Sequence, residues 1–192
     1  MPRIYLAGPE VFLPDALAVG AHRVALCAEH GFEGVFPLDP GLDLAGLSKP
    51  EQARRIATAC EGLMRSCAGL IANLTPFRGV SIDAGTAFEV GFMRALGRPV
   101  LGYTNVATGY RERAESYRRA APPLLDADCP DAEVEDFDGA ENPMIEAAII
   151  ASGGTVVRST VPAGREMRDL EGFKACLSQA AKAFGLRSSR VQ

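Results

Sequence analysis

Short apolar runs alternate with amphipathic stretches along most of the chain. Arg3-Ile4-Tyr5-Leu6-Ala7 reads as a strand broken by Gly8-Pro9. From Pro14 to His30 a helical pattern runs through Leu17, Ala21, Val24 and Ala25 until Gly31 stops it. Gly34-Val35-Phe36-Pro37 reads as a second strand and residues 39–47 as a loop. Ser48-x-x-Glu51, with Pro50 between, opens a helix by the capping rules, with apolar spacing through Ile56, Ala59, Leu63, Met64 and Cys67. The run Gly69 to Leu74 predicts a buried strand, residues 85–96 a helix, and Pro99 to Tyr103 another strand. Residues 104–140 form a long irregular segment. Within it Tyr110 to Ala120 reads as a short exposed helix, and the acidic stretch Asp126 to Asp138 as a solvated flap or a substrate gate. A helix over Met144 to Ala151, a strand over Thr155 to Val157 and a closing helix over Met167 to Phe184 complete the pattern.

Strands alternating with helices imply βαβ units, hence an α/β fold with a mostly parallel sheet and helices on both faces. Right-handed crossovers place the C-terminal ends of the strands on one edge. Gly8-Pro9, Asp39 and the loop over residues 75–85 then gather there, and Tyr5 can meet Glu89 across a long stretch of sequence.

Glu89 carries the chemistry of that edge. Phe92, Met93 and Leu96 follow it at helical spacing, so a carboxylate occupies what should be the core-facing stripe. One reading is a capping box, Thr86-x-x-Glu89, in which the carboxylate reaches back to the first turn. The other is an ionised, poorly hydrated carboxylate beside a pocket, which is a plausible nucleophile. Asp83 supplies a second acid just upstream.

Composition narrows the partners. At 192 residues, 47% hydrophobic and 23% charged, the chain can bury a core as one domain. A net charge of −4 and a pI near 5.3 leave no basic footprint for nucleic acid. Five scattered cysteines without a CxxC pair, and only His22 and His30 beside them, assemble no metal site. No apolar run approaches membrane-spanning length, and the chain opens directly on a strand; with free thiols, this predicts a cytoplasmic protein that needs no cofactor.

Several segments together resemble the nucleoside 2-deoxyribosyltransferase family over roughly residues 3–150: Tyr5-Leu6-Ala7-Gly8-Pro9, Ala72-Asn73-Leu74-Thr75-Pro76-Phe77-Arg78-Gly79, Asp83-x-Gly85-Thr86-x-Phe88-Glu89-x-Gly91, Gly97-Arg98-Pro99-Val100 and Asn142-Pro143-Met144-Ile145. The resemblance implies a flavodoxin-like, doubly wound, five-stranded fold and a retaining glycosyl transfer. Glu89 matches the nucleophile that attacks C1′ of a 2′-deoxynucleoside, and Tyr5 the tyrosine that orients it. Asp83 and Asn142 match the pair that holds the sugar 5′-hydroxyl, the Asn coming from a neighbouring subunit, with Met144 beside it. Gly8, Pro9, Asp39, Phe77, Arg78, Gly79, Ser81 and Gly85 complete the substrate-binding set that it implies. The partners are then deoxynucleosides, nucleobases and further copies of the chain.

Read without the family, Tyr5 is a packed strand aromatic, Asp83 a helix cap, Asn142 a helix start and Arg78 an exposed loop cation. A carboxylate at position 83 disfavours a 5′-phosphate and predicts preference for unphosphorylated nucleosides, while Arg78 with Gly79 could instead receive an anion. The sequence departs from the family where several members carry an Asp that relays a proton to the leaving base: Cys60 falls there, with Glu61 adjacent, and a thiol is a poor acid for that role, so either Glu61 substitutes, or water or Asp39 protonates the base, or base exchange is weak. Three functions follow: nucleobase exchange, hydrolysis of nucleosides or their monophosphates by the same residues, and non-catalytic nucleotide binding. Residues 151–192 add a strand and helix without a motif.

Overall fold

The structure, a computed structural model, describes residues 1–38, 42–120 and 132–186. Five strands, β1 (Arg3–Ala7), β2 (Glu33–Val35), β3 (Gly69–Asn73), β4 (Val100–Thr104) and β5 (Val156–Arg158), form one sheet in the order β2-β1-β3-β4-β5, with every pairing parallel. That is the flavodoxin-like doubly wound order, in which the chain reverses direction across the sheet between β1 and β3. Among the described residues the helices are α1 (Ala16–Glu29), α2 (Lys49–Arg65), α3 (Ala84–Ala95), α4 (Tyr110–Ala120), α5 (Pro143–Ala151) and α6 (Glu171–Ala183), with a 3-10 turn at Pro9–Phe12.

The three central strands β1, β3 and β4 are buried along nearly their whole length, which is why they read as continuous apolar runs rather than alternating ones. Their period of two still sorts the side chains. Ile4, Leu6, Ile71, Leu101 and Tyr103 face α1 and α6 and pack on Leu26, Cys27, Phe173 and Leu177. Tyr5, Ala7, Leu70, Ala72 and Val100 face the other way, onto Met64 of α2, Val90 and Met93 of α3 and Ile149 of α5. Tyr5 and Tyr103 therefore stand on opposite faces of the same sheet.

Several local expectations hold in detail. Ser48 and Glu51 form the reciprocal box that opens α2, with the Ser48 amide donating to Glu51 at 2.9 Å. Others need correcting. The helix over Ala16–Glu29 exists, but Leu17, Ala21 and Ala25 are exposed; its buried residues are Ala16, Gly20, Arg23, Leu26 and Cys27. The inversion has a specific cause: Arg23 is carried inward by a buried acid, Glu10. β2 ends at Val35, two residues before Pro37, a residue with no N–H to donate to a ladder. α6 begins at Glu171 rather than at Met167. On α3 the buried line is Thr86, Val90 and Met93; Leu96 closes the helix half in solvent, and Glu89 sits on the flank of the line.

Candidate active site

The C-terminal edge of β1 supplies Tyr5 and the turn Gly8-Pro9. The loop after β3 supplies Phe77 to Ser81, and α3 supplies Asp83, Gly85 and Glu89. Across this edge the Tyr5 hydroxyl donates to Glu89 Oε1 at 2.6 Å, joining residues 84 positions apart. This is the length of a hydrogen bond to a charged acceptor.

The capping alternative for Glu89 is replaced. Asp83 is the N-cap of α3 and accepts from the Thr86 amide at 3.1 Å, so the first turn has its acceptor and Glu89 is left to Tyr5. Glu89 is largely desolvated, and burial pushes its carboxyl up to about 7; the Tyr5 hydroxyl pulls in the opposite direction and the neighbouring Asp83 adds a smaller upward push. Burial and then the Glu89 charge hold the Tyr5 phenol far above its ordinary range, so Tyr5 acts here only as a donor. The Cys60 thiol lies against the same pair; burial pushes it up, Tyr5 pulls it down and Glu89 pushes it up again, and the net direction is upward. Its proton is thus held more tightly than in water. Glu61, the alternative acid, faces Arg65 one turn along α2 at 3.9 Å. Asp39 lies outside the described residues.

The remaining expected site residues have these places. Gly8 and Pro9 are buried, and a Cβ at Gly8 would stand 2.1 Å from Glu10 Oε2, so only glycine fits beside that carboxylate. Phe77 stacks on Phe12 with ring centroids 5.4 Å apart, and the Arg78 guanidinium lies 4.7 and 4.6 Å from the two ring centres. Arg78 holds this position with φ at +56°, the left-handed region that costs a non-glycine residue energy; the cation–π contacts are of the size needed to offset it, about 1 kcal/mol. Gly79 is exposed at the tip of the loop. Gly85 leaves room for the cap, since a Cβ there would come within 2.9 Å of Asp83 Oδ2. The Ser81 hydroxyl donates to Glu141 at 2.5 Å. Asn142 starts α5, its side-chain oxygen accepting from the Met144 amide at 3.0 Å and its amide donating to Glu135 at 2.8 Å, while Met144 projects into solvent.

Two groups here escaped the sequence reading. Glu10, in the 3-10 turn after β1, is 1% exposed and pairs with Arg23; Asn73 donates to it at 2.6 Å and Tyr103 at 3.1 Å. Glu141 is equally buried and anchors the loop before α3. An acid next to a recognised motif residue is the only local signal either one carries. A cavity of about 490 Å³ adjoins Glu141 and Pro143 between α4 and the segment before α5, walled by Tyr110, Glu135, Phe137 and Arg158; it neighbours Asn142 rather than Glu89. No group of acidic, histidine or cysteine side chains among the described residues could hold a metal ion, and none of the described helices is long and apolar enough to cross a membrane.

Comparison with known proteins gives the family and the fold. The family model described as nucleoside 2-deoxyribosyltransferase matches residues 4–144, from the start of β1 into α5. The uncharacterized protein C191.05c of Schizosaccharomyces pombe is 35% identical over 172 residues, covering 81% of each chain. Among solved structures, a 2-desoxiribosyltransferase from Leishmania mexicana superposes with a TM-score of 0.66 at 24% identity, covering 95% of this chain and 98% of that one. A conserved protein from Enterococcus faecalis V583 superposes with a TM-score of 0.56 at 22% identity, covering 94% and 99%. At those identities the two superpositions speak for the fold. The matched segment contains Tyr5, Asp83, Glu89 and Asn142, and with it the chain belongs to the nucleoside 2-deoxyribosyltransferase family.

Proposed function

We propose that the protein exchanges nucleobases between 2′-deoxynucleosides through a covalent deoxyribosyl ester on Glu89. The observation that carries this reading is the 2.6 Å bond from the Tyr5 hydroxyl to a desolvated carboxylate. A Glu89 carboxylate turned back on the first turn of α3 would be drawn into capping and away from Tyr5. One held by a single neutral donor keeps the rest of its lone pairs for an electrophile.

In the first half-reaction a Glu89 oxygen bonds to C1′ as the C1′–N bond breaks. The bonding pair leaves with the base, which takes a proton from water or from Asp39. An oxocarbenium-like transition state is met by the carboxylate, as in retaining glycosidases. In the second half-reaction a ring nitrogen of the incoming base attacks C1′ from the opposite side and sheds its proton. The ester oxygen departs with its pair and the Glu89 carboxylate is restored. Tyr5 keeps the attacking oxygen oriented in both halves. Water or Asp39 is the proton source, because Cys60 holds its proton tightly and Glu61 is turned to Arg65. Asp83 and Asn142 hold the sugar 5′-hydroxyl. Asp83 has one oxygen on the Thr86 amide and a second for the substrate, and its charge opposes a 5′-phosphate.

The test is product analysis after incubation with deoxyinosine and adenine. Deoxyadenosine with free hypoxanthine is the expected result. Hypoxanthine with free deoxyribose, and no deoxyadenosine, would mean that water takes the second base's place. No turnover of any 2′-deoxynucleoside would refute the reading.

A further inference from the structure

Glu141 accepts four hydrogen bonds, two on each oxygen. Oε1 receives the Ser81 hydroxyl at 2.5 Å and the Asn142 amide at 3.0 Å; Oε2 receives the Ile82 amide at 3.2 Å and Arg113 Nη2 at 3.2 Å. That is the full complement of a carboxylate in its acceptor-only form. The two backbone donors are telling. Ile82 directly precedes Asp83, and the other donor is Asn142 itself. The side chain is buried, so these bonds are not shared with solvent.

Arg113 extends the clamp. Its Nε donates to the Val80 carbonyl at 2.9 Å, and its Nη1 and Nη2 to the carbonyls of Thr108 at 2.5 Å and Ala140 at 2.8 Å. One buried ion pair thus ties together the loop before α3, the loop before α4 and the turn before α5. None of these bonds lies within an element of regular structure.

We propose that Glu141 is a positioning residue, which sets the backbone at Asp83 and Asn142 and through them the grip on the nucleoside's 5′-hydroxyl. The inference rests on the reading that those two side chains hold that hydroxyl. It stands whichever subunit's sugar Asn142 reaches, because Glu141 sets the backbone of both residues within its own chain. Glu141→Gln is nearly isosteric but turns one acceptor oxygen into an NH2 donor. Two of the four donors then face a donor, and one of the two loops is released.

The experiment compares kcat/KM for base release from deoxyinosine and from its 5′-deoxy analogue, in the full-length wild type, Asp83→Asn, Glu141→Gln and Ser81→Ala. The wild type should prefer the 5′-hydroxylated substrate roughly ten- to hundredfold, the size of a hydrogen bond to a charged group. Asp83→Asn and Glu141→Gln should both lose most of that preference, with circular dichroism showing the fold retained. Ser81→Ala removes the half-buried Ser81 hydroxyl, one donor of four, and should lose part of it. Loss in Asp83→Asn with full preference in Glu141→Gln overturns the positioning role alone. A wild type indifferent to the 5′-hydroxyl overturns the assignment of Asp83 and Asn142, and the positioning role with it. Should Glu141→Gln fail to fold, Ser81→Ala decides, and an unchanged preference there overturns the proposal.

Discussion

Two tyrosine–glutamate pairs stand near the same edge of the sheet, one on each face, and their environments are opposite. On the α1 face, Tyr103 meets Glu10 deep in the core, where Arg23 supplies a cation and Asn73 a further donor. On the α3 face, Tyr5 meets Glu89 where the charged neighbour is another anion, Asp83. The first carboxylate is compensated and buried. The second forms no ion pair among the described residues, and burial raises its carboxyl to about 7. The contrast shows what makes a carboxylate chemically available: not proximity to a tyrosine, but the lack of a cation to quiet it. The compensated pair supports the platform, since Glu10 also packs against Gly8 in the turn that follows Tyr5's strand.

The largest effects should separate the two pairs cleanly. Glu89→Ala should stay folded and lose at least about a thousandfold in turnover if, as proposed, Glu89 is the nucleophile, because a nucleophile has no substitute. Glu10→Ala should do the reverse and lose about 3–5 kcal/mol of stability, because Arg23 is left as an uncompensated buried charge. Urea denaturation beside kcat measurements reads both. A Glu89→Ala protein with wild-type rate, or a Glu10→Ala protein with wild-type stability, would erase the distinction.

A smaller effect sharpens it. The Glu89 carboxyl is raised from 4.5 to about 7 in the folded state, so below 4.5 it is neutral in both states and carries no electrostatic penalty. As pH rises from 4.5 to about 7 the unfolded chain ionises first, and the folded state loses relative stability until its own carboxyl ionises. Glu89→Gln is neutral throughout. Its stability relative to the wild type should therefore improve by about 3 kcal/mol between about pH 4 and about pH 8, measured by denaturant titration. A gap independent of pH would mean that Glu89 is not desolvated.

The smallest effect concerns Tyr5. Its hydrogen bond favours ionised Glu89, so Tyr5→Phe should move the acid limb of kcat/KM, expected near pH 7 in the wild type, to higher pH. At neutral pH the rate should fall roughly tenfold, with part of it regained in alkali. A limb that stays in place would leave Tyr5 with packing alone.

How much of this was legible along the chain can be judged residue by residue. The strands at Arg3–Ala7, Gly69–Asn73 and Val100–Thr104 were readable because a strand covered on both faces must be apolar throughout. Glu89 stood out because a carboxylate at helical spacing from apolar residues, after a strand and a glycine-bearing loop, is a local anomaly. The buried face of α1 was not readable. An alanine-rich helix offers two apolar stripes, and the choice fell to the one containing Arg23, whose acid partner comes from outside the helix.

The order of elements, the parallel sheet and the acid at the head of α3 thus belong to the sequence itself, because they rest on periodicity and on side chains within a few turns of one another. Which donor Glu89 meets, which face Arg23 takes and what Glu141 holds were decided only in three dimensions. Tyr5 and Glu89 are separated by 84 positions and Ser81 and Glu141 by 60, and such bonds leave no trace in local pattern. They form because burial strips water from a polar group and leaves it to find its partner wherever the fold has placed one.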